Sequence, residues 1–306
     1  MATCIWQGGT DGDWSDALNW NGDVPANGDD VVIENNAVDI DEGLAQGAVT
    51  LASLTISQTY TGKIGTTAAY LAINSTLVDI GAYYGTASPA GSGRIRLNLG
   101  AVQSTVTIHN SATTATDTNY APIRLLGTHA ANVINVRKGT VSIADDVPGE
   151  VSTVATLNVS YVSAVSTDAN VIIGSGVTLT ALTKTGGAVT LGCAATTVTQ
   201  SGGTLATAGS GAITTLNADG GTVTTNGTGA ITTANISGGT VYLNSTGTIG
   251  NLVITGSPVI SFAQSNAART VTDASIDGSA SITVDPDVVT LTDDISLGNW
   301  YDISTS

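Results

Sequence analysis

Apolar and polar positions repeat at a constant interval in the second half of the chain. The segment 213–230, ITTLNADGGTVTTNGTGA, aligns without gaps with the segment 231–248, ITTANISGGTVYLNSTGT. In each copy a pair of glycines separates short runs such as Thr222–Thr225, which alternates around Val223. Repeats of this length with short β-type runs are typical of solenoids, in which each repeat forms one coil of about two or three short strands.

Rows of equivalent residues extend the repeat beyond these two copies. Two glycine rows and one aliphatic row keep the same spacing: Gly220, Gly238 and Gly256; Gly211, Gly229 and Gly247; and Leu205, Val223, Val241 and Val259. The spacing changes outside this region, since the step from Gly186 to Gly202 is shorter and the step from Gly256 to Gly278 is longer. Glycine accepts corner conformations with positive φ, and stacked strands place equivalent residues about 4.8 Å apart. We therefore expect these rows to lie in register along a stack of coils that tolerates small insertions.

The predicted fold class is all-β, a parallel β-helix with capped ends. Left-handed coils usually repeat a branched aliphatic residue at about every sixth position. The spacing of Ile213, Leu216 and Val223 lacks that rhythm, which favours a right-handed helix. We predict an N-terminal cap or attachment segment at 1–44, a β-helix at 45–285 with regular coils from about 186 to 262, and a C-terminal cap at 286–306.

Composition and charge exclude several classes of protein. The 306 residues include 24 acidic and 8 basic side chains, a net charge of −16, and only 10% of residues are charged. This balance argues against a nucleic-acid-binding protein, and the 42% of hydrophobic residues argues against a disordered acidic chain. No apolar run reaches the length of about 18 residues that a membrane span needs. The N-terminus also has no basic region followed by an apolar one, so we expect no secretory signal.

An aromatic and glycine-rich motif opens the chain. The segment from Trp6 to Ile33 reads WQGGTDGDWSDALNWNGDVPANGDDVVI. It resembles the opening motif of bacterial and phage β-helical surface proteins, including autotransporter-like adhesins. From the residues themselves, we expect Trp6, Trp14 and Trp20 to form an apolar plug over the first coil, and Trp300 to belong to a second cap at the other end. Ligand binding by the three N-terminal tryptophans is the alternative.

The acidic turns of the same segment raise the question of Ca²⁺. Asp11, Asp13, Asp29 and Asp30 could offer oxygen ligands to that ion. The full alternating pattern of a calcium loop is absent, and so is a G-G-x-G-x-D repeat. We therefore interpret these residues as solvated turn carboxylates and expect no cofactor, with Ca²⁺ as the alternative.

Five of the eight basic residues lie between positions 94 and 138: Arg94, Arg96, Arg124, Arg137 and Lys138. Stacked coils could bring some of them onto one face. One hypothesis is a docking patch for an acidic neighbour, such as the acidic end of another copy. The other is ordinary surface charge that balances local acids.

Catalytic motifs are missing from the sequence. Asp145, Asp146 and Glu150 form the acidic group in the middle of the chain, and adjacent residues in a strand point to opposite faces. No G-x-S-x-G, H-E-x-x-H or Walker pattern occurs. Cys4 and Cys193 are the two cysteines, and we expect two free thiols with Cys193 buried. The sequence thus predicts a protein that is not an enzyme.

The resemblance and the expected lack of a signal together favour a bacteriophage structural protein, which is assembled in the host cytoplasm. We expect a capsid decoration (cementing) protein or a fibre or spike on the virion surface. Its predicted partners are two further copies of itself in a homotrimer and capsid or other virion proteins, with a host surface glycan left open and neither nucleic acid nor membrane expected. Two alternatives remain, namely a bacterial adhesin or surface-layer subunit and a tailspike-type polysaccharide-degrading enzyme.

Overall fold

A computed structural model describes residues 2–82, 94–111, 121–145, 148–160, 169–293, 295–297 and 301–305. Over these ranges the chain forms strands and turns, with a single 3₁₀ turn at Ala17–Asn19 as its helical element. The contacts divide the chain into two compact units, Met1–Ile172 and Ile173–Ser306. The named strands pair in parallel within each unit, so the predicted all-β parallel β-helix is confirmed.

Eleven strands belong to the first unit, the last of them ending at its boundary. They are β1 (Thr3–Ile5), β2 (Asp30–Ile33), β3 (Ala45–Ser57), β4 (Leu71–Ala82), β5 (Ile95–Asn98), β6 (Thr105–Ile108), β7 (Ile123–Leu126), β8 (Val133–Val136), β9 (Gly139–Ile143), β10 (Ser152–Val159) and β11 (Ala169–Ile173).

The first unit is built by stacking strands from successive coils. β1, β2, β3 and β4 pair one after another, and the stack continues from β4 through β6, β8 and β10. A second stack runs from β4 through β5, β7 and β9. One row of equivalent side chains is buried along the first stack: Cys4, Val31, Leu54, Val78, Val106, Ile134 and Leu157. The predicted N-terminal cap segment therefore already contains two strands of the coil stack.

Fifteen strands belong to the second unit. They are β12 (Val177–Lys184), β13 (Ala188–Leu191), β14 (Ala195–Gln200), β15 (Thr204–Thr207), β16 (Ile213–Ala218), β17 (Thr222–Thr225), β18 (Ile231–Ile236), β19 (Thr240–Leu243), β20 (Ile249–Gly256), β21 (Val259–Ser261), β22 (Arg269–Gly278), β23 (Ala280–Val284), β24 (Val289–Leu291), β25 (Ile295–Leu297) and β26 (Tyr301–Thr305).

The register of the second unit reproduces the sequence repeat. Successive partners follow one another at a constant interval in the row Ala195, Ile213, Ile231 and Ile249. The interval is shorter between the paired residues Leu179 and Ala195, and longer between Ile249 and Val271. Each coil contributes two strands, because every strand from β14 to β18 pairs with the second strand after it. One sequence repeat therefore corresponds to one coil, and a change in the repeat interval corresponds to a shorter or longer coil.

One residue of the predicted aliphatic row is out of place. Leu205 pairs with Val223 and Val223 with Val241, but Val241 pairs with Ile260 and Val259 pairs with Thr240. The Val259 side chain is 47% exposed, whereas Ile260 is buried. The coil before Val259 contains one additional residue, and a shift of one position in a strand moves each side chain to the opposite face.

Glycine pairs form the corners of these coils. The second glycine of each pair has a positive φ, +68° at Gly203, +72° at Gly221 and +74° at Gly239. A Cβ atom on Gly239 would lie 2.5 Å from the carbonyl oxygen of Gly221 in the preceding coil. Only glycine satisfies the dihedral angle and the close approach together.

Amide side chains form ladders along the outside of both units. Nδ2 of Asn235 donates to Oδ1 of Asn217 at 2.9 Å, and Nδ2 of Asn158 donates to Oδ1 of Asn135 at 2.8 Å. An amide can donate and accept at once, so equivalent residues of successive coils bond to one another. Like charges at the same spacing would repel, which explains why Lys184 and Asp219 are the only charged residues between positions 171 and 268.

Candidate functional site

The three N-terminal tryptophans form one buried cluster. The ring centroids of Trp6 and Trp20 are 5.2 Å apart and those of Trp14 and Trp20 are 4.7 Å apart, both in edge-to-face contact. Nε1 of Trp20 donates to the carbonyl oxygen of Trp14 at 2.8 Å. All three side chains are at most 3% exposed. Because stacking on a ligand needs an exposed ring face, this packing supports a cap. Trp300 lies outside the described residues.

The side chain of Asn19 organises the loop between Trp6 and Trp20. Its Oδ1 accepts from the backbone N–H of Thr10 at 2.9 Å, and its Nδ2 donates to Oδ1 of Asp11 at 2.8 Å and to the carbonyl of Asp13 at 2.9 Å. The hydrogen bond from Asn19 makes the larger contribution to lowering the pKa of Asp11, and the bond from the backbone N–H of Asp13 lowers it further. This buried amide supplies the polar contacts of a loop whose outer residues are solvated.

The acidic residues considered for Ca²⁺ accept hydrogen bonds from groups of the chain itself. Asp29 accepts from the backbone N–H groups of Ala2 at 2.7 Å and Ala26 at 3.0 Å, and these bonds lower its pKa. Oδ1 of Asp13 accepts from the backbone N–H of Ser15 at 2.8 Å. Over the described ranges, no group of three or more His, Cys, Asp or Glu side chains is arranged to hold a metal ion. Asp13 thus accepts within its own turn, whereas Asp29 also accepts across 27 residues from Ala2.

The predicted basic docking patch is wrong for three of its five residues. Arg94, Arg96 and Arg124 are only 7%, 4% and 1% exposed, while Arg137 is exposed and Lys138 is half-buried. Arg96 and Arg124 are directly paired residues of β5 and β7. A partner protein could not reach three buried guanidinium groups. The exposed part of the hypothesis therefore reduces to Arg137 and Lys138.

Backbone carbonyl groups explain why these arginines are buried. Arg94 donates to the carbonyl of Gly65 at 2.9 Å, and Nη1 of Arg96 donates to those of Thr66 at 2.8 Å and Thr67 at 2.5 Å. Residues 65–67 belong to the connection between β3 and β4, where the regular ladder is interrupted. A guanidinium group carries five donors in a fixed plane, so it can satisfy several carbonyl groups of an irregular turn.

A tyrosine and a glutamate complete this arginine cluster. Cζ of Arg96 lies 5.3 Å from the centroid of the Tyr70 ring, a cation–π distance, and the Tyr70 hydroxyl donates to Oε1 of Glu150 at 2.8 Å. Tyr70 and Glu150 are 80 residues apart in sequence. Of the acidic group considered for catalysis, Glu150 is thus bonded to Tyr70 and Asp145 is exposed, while Asp146 lies outside the described residues.

Two more buried cations, Lys184 and Arg269, occur in the second unit, and neither was predicted from the sequence. Lys184 is fully buried and its Nζ donates to the carbonyl of Gly202 at 2.6 Å. Arg269 donates to four backbone carbonyl groups, those of Phe262 at 2.9 Å and Ala267 at 3.0 Å and those of Leu243 and Ser265. Burial lowers the pKa of Arg269, and the carboxylate of Asp285 opposes that shift.

A sequence signal for Lys184 did exist. It lies in register with the buried Gln200 and Ala218 of the next two coils, so its position in the repeat is an inward one. Lys63, Arg137 and Lys138 are the basic residues that remain outside the buried set of five. Consequently most of the basic side chains of this acidic chain are buried and do not contribute positive charge to its surface.

Both histidines have partners within the chain, and both cysteines are buried. Nε2 of His109 lies 3.1 Å from Oδ1 of Asp79, and Nδ1 of His129 accepts from the backbone N–H of Ala131. Both cysteines are free and buried, which confirms the expected free thiols. Burial raises the pKa of Cys193 to about 11 and also raises that of Cys4. At neutral pH neither thiol is ionised, and so neither is an activated nucleophile.

Comparisons with protein-family models, with curated proteins and with solved structures gave no match to this chain. Where the structure describes the chain, it contains no helix with the length and apolar character needed to cross a bilayer.

Proposed function

We propose that the protein is a structural, non-enzymatic component of a bacteriophage virion, a capsid decoration (cementing) protein or a fibre or spike β-helix on the particle surface. The observation that carries this proposal is the uninterrupted parallel register from β14 to β20. Successive coils repeat there at a constant interval and bond through their backbones. A stack of this kind is a mechanical element, because each coil is held by its neighbours.

The buried polar side chains support the same proposal. Arg94, Arg96, Lys184 and Arg269 donate to backbone carbonyl groups of connections and corners, which secures the segments that interrupt the ladder. Such contacts stabilise these segments against local unfolding, which a protease needs in order to cleave the chain. A protein displayed on a particle outside the cell benefits from that resistance.

The proposed mode of action is attachment without chemistry. A homotrimer would place three β-helices side by side, and the partners on the particle would be capsid or other virion proteins. The acidic exterior repels nucleic acid, which keeps a protein made beside the packaged genome from binding it. A host surface glycan is a further candidate partner for a fibre.

Localisation on purified particles tests the proposal. Phage particles from a strain that encodes the chain are banded by density, analysed by mass spectrometry, and imaged by cryo-microscopy with a bound antibody fragment. We expect the chain at a fixed copy number per particle and the antibody fragment on the shell or tail. Recovery from the host envelope, with none in banded particles, would instead support the adhesin or surface-layer alternative.

Two solution measurements separate the remaining possibilities. Light scattering should give three times the mass of the 30.4 kDa chain if the protein is a homotrimer. Incubation with host polysaccharide should release no oligosaccharide. Release that is abolished by Asp145→Asn, and unchanged by the exposed-site control Asp219→Asn, would establish the tailspike-type enzyme.

A further inference from the structure

The interior of the second unit contains an apolar cavity near its last coils. Its volume is about 210 Å³, and ten side chains of the described residues line it. All ten are aliphatic except Phe262, and they come from β20, β22, β23, β24 and the turn that follows β21. Most of the lining, including Val271, Ile276 and Ile282, is buried.

Smaller side chains at inward positions of β22 create this space. Ile249 of β20 is paired with Val271 of β22, and Leu252 is paired with Ala274. Both changes remove carbon atoms from the coil interior. Upstream, the small Ala234 lies between its paired residues Leu216 and Leu252, and both of these leucines are buried. The cavity is therefore a property of the β22 coil rather than of the repeat.

The rim of the cavity reaches solvent along β24. Leu291 is 43% exposed and Val289 is half-buried, although both line the cavity. β24 has three residues and pairs with β22 through Arg269, Thr270 and Val271. A small molecule could enter past this short strand without disturbing the longer ladders.

We propose that this cavity binds a small uncharged apolar molecule about as large as benzene. A cavity of about 150 Å³ in a protein core, lined by aliphatic and aromatic side chains, stays dry and binds benzene. The cavity beside β22 is somewhat larger, and its described lining is of the same type. Water and polar guests would lose hydrogen bonds on entry, because the ten described side chains of the lining offer none.

Charge around the rim restricts the guest further. Asp287 and Asp293 flank β24 and are exposed, and Asp285 is half-buried. These carboxylates would repel the head group of an anionic amphiphile such as a fatty acid. The predicted ligand is accordingly neutral, and this inference is independent of the proposed virion role.

Methyl NMR with benzene as the probe tests the proposal on the full chain. We expect benzene to shift the methyl resonances of Val271, Ile276 and Ile282, to leave those of Ile213 in an upstream coil unchanged, and to raise the melting temperature. Phenol is the matched polar ligand, and it should produce neither effect. Absence of shifts near the aqueous solubility limit of benzene, or equal shifts with phenol, would overturn the proposal.

Two substitutions locate the binding. Ala274→Leu fills the cavity and should weaken benzene binding at least about tenfold. Thr290→Leu adds apolar surface on the outward face of β24, where Thr290 is exposed, and should bind like the wild type. If Ala274→Leu does not fold, Val271→Ile adds a single methylene at the paired position and should still weaken binding. Wild-type affinity in a folded cavity-filling variant would contradict the assignment.

Discussion

Replacing Gly239 by alanine adds one methyl group at a corner of the second unit, and two other glycines allow its two effects to be separated. Gly239 combines φ of +74° with a Cβ position 2.5 Å from the carbonyl oxygen of Gly221. Gly209 has φ of +69°, but the nearest atom to its Cβ position is 3.7 Å away. Gly238 has no positive φ, yet its Cβ would lie 2.5 Å from the carbonyl oxygen of Asp219.

The expected losses follow from these geometries. Alanine in the left-handed region costs roughly 1–2 kcal/mol, and forcing an additional carbon into a closely packed position costs about 1–3 kcal/mol. Gly209→Ala should therefore lower the free energy of unfolding by about 1–2 kcal/mol, and Gly238→Ala by about 1–3 kcal/mol. Gly239→Ala should lose about 2–5 kcal/mol, because both effects act at one residue.

Urea unfolding followed by far-ultraviolet circular dichroism measures the three values. Hydrogen exchange of the neighbouring β17 and β19 amides then locates the loss, since coils in a stack contact their nearest neighbours. If Gly209→Ala lowers the free energy of unfolding as much as Gly239→Ala does, the close contact of Gly239 with the preceding coil contributes nothing to the loss. A loss below about 1 kcal/mol for Gly239→Ala would refute the corner assignment itself.

Three further predictions concern a buried arginine, an amide of the outer ladder and a buried cysteine. Arg269→Met should lower the free energy of unfolding by at least about 3 kcal/mol in urea titrations, because several buried carbonyl groups lose their donor; Arg269→Lys should lose less, and equal losses would contradict the role of the guanidinium plane. Asn235→Asp should cost about 1 kcal/mol at pH 7, since a carboxylate then faces Oδ1 of Asn217. The difference from the wild type should vanish near pH 3, where the protonated acid can donate, and a pH-independent loss would argue against the ladder. Cys193 should not react with a disulfide reagent at pH 8 until the protein is unfolded. Its pKa rises from 9.0 to about 11 on folding, so the unfolded state loses the proton first and stability relative to Cys193→Ala should fall as pH rises between these values; a flat profile would count against burial of the thiol.

The buried cations also affect how the charge of the chain is understood. A net charge of −16 suggests a surface on which a few basic residues balance many acids. Five of the eight basic residues are instead buried, and each of the five donates to at least one backbone carbonyl group outside the strands: Arg94, Arg96, Arg124, Lys184 and Arg269. The exterior is thus more acidic than the formal balance implies.

The constant repeat interval was sufficient to predict the fold class and much of the register. Glycine pairs, inward aliphatic residues and amide ladders depend on the local backbone and on the next coil, and both recur at a fixed interval along the sequence. For the same reason the shorter step before β14 and the longer step before β22 were visible as changes in glycine spacing. The tryptophan cluster could be anticipated because three large apolar residues lie close together near the start of the sequence.

Only the tertiary structure decided what the irregular parts do. The coil before Val259 contains one additional residue. Val259 is therefore exposed and Ile260 is buried, although Val259 continues the aliphatic row in the sequence. The burial of Arg96 depends on carbonyl groups at Thr66 and Thr67, about 30 residues earlier in the chain, and Glu150 meets Tyr70 across 80 residues. The cavity beside Ala274 likewise reflects which side chains of two stacked coils face each other. Contacts between equivalent residues of neighbouring coils follow from the repeat. The donors that bond to carbonyl groups of an irregular connection lie at non-equivalent positions, so the repeat does not predict them.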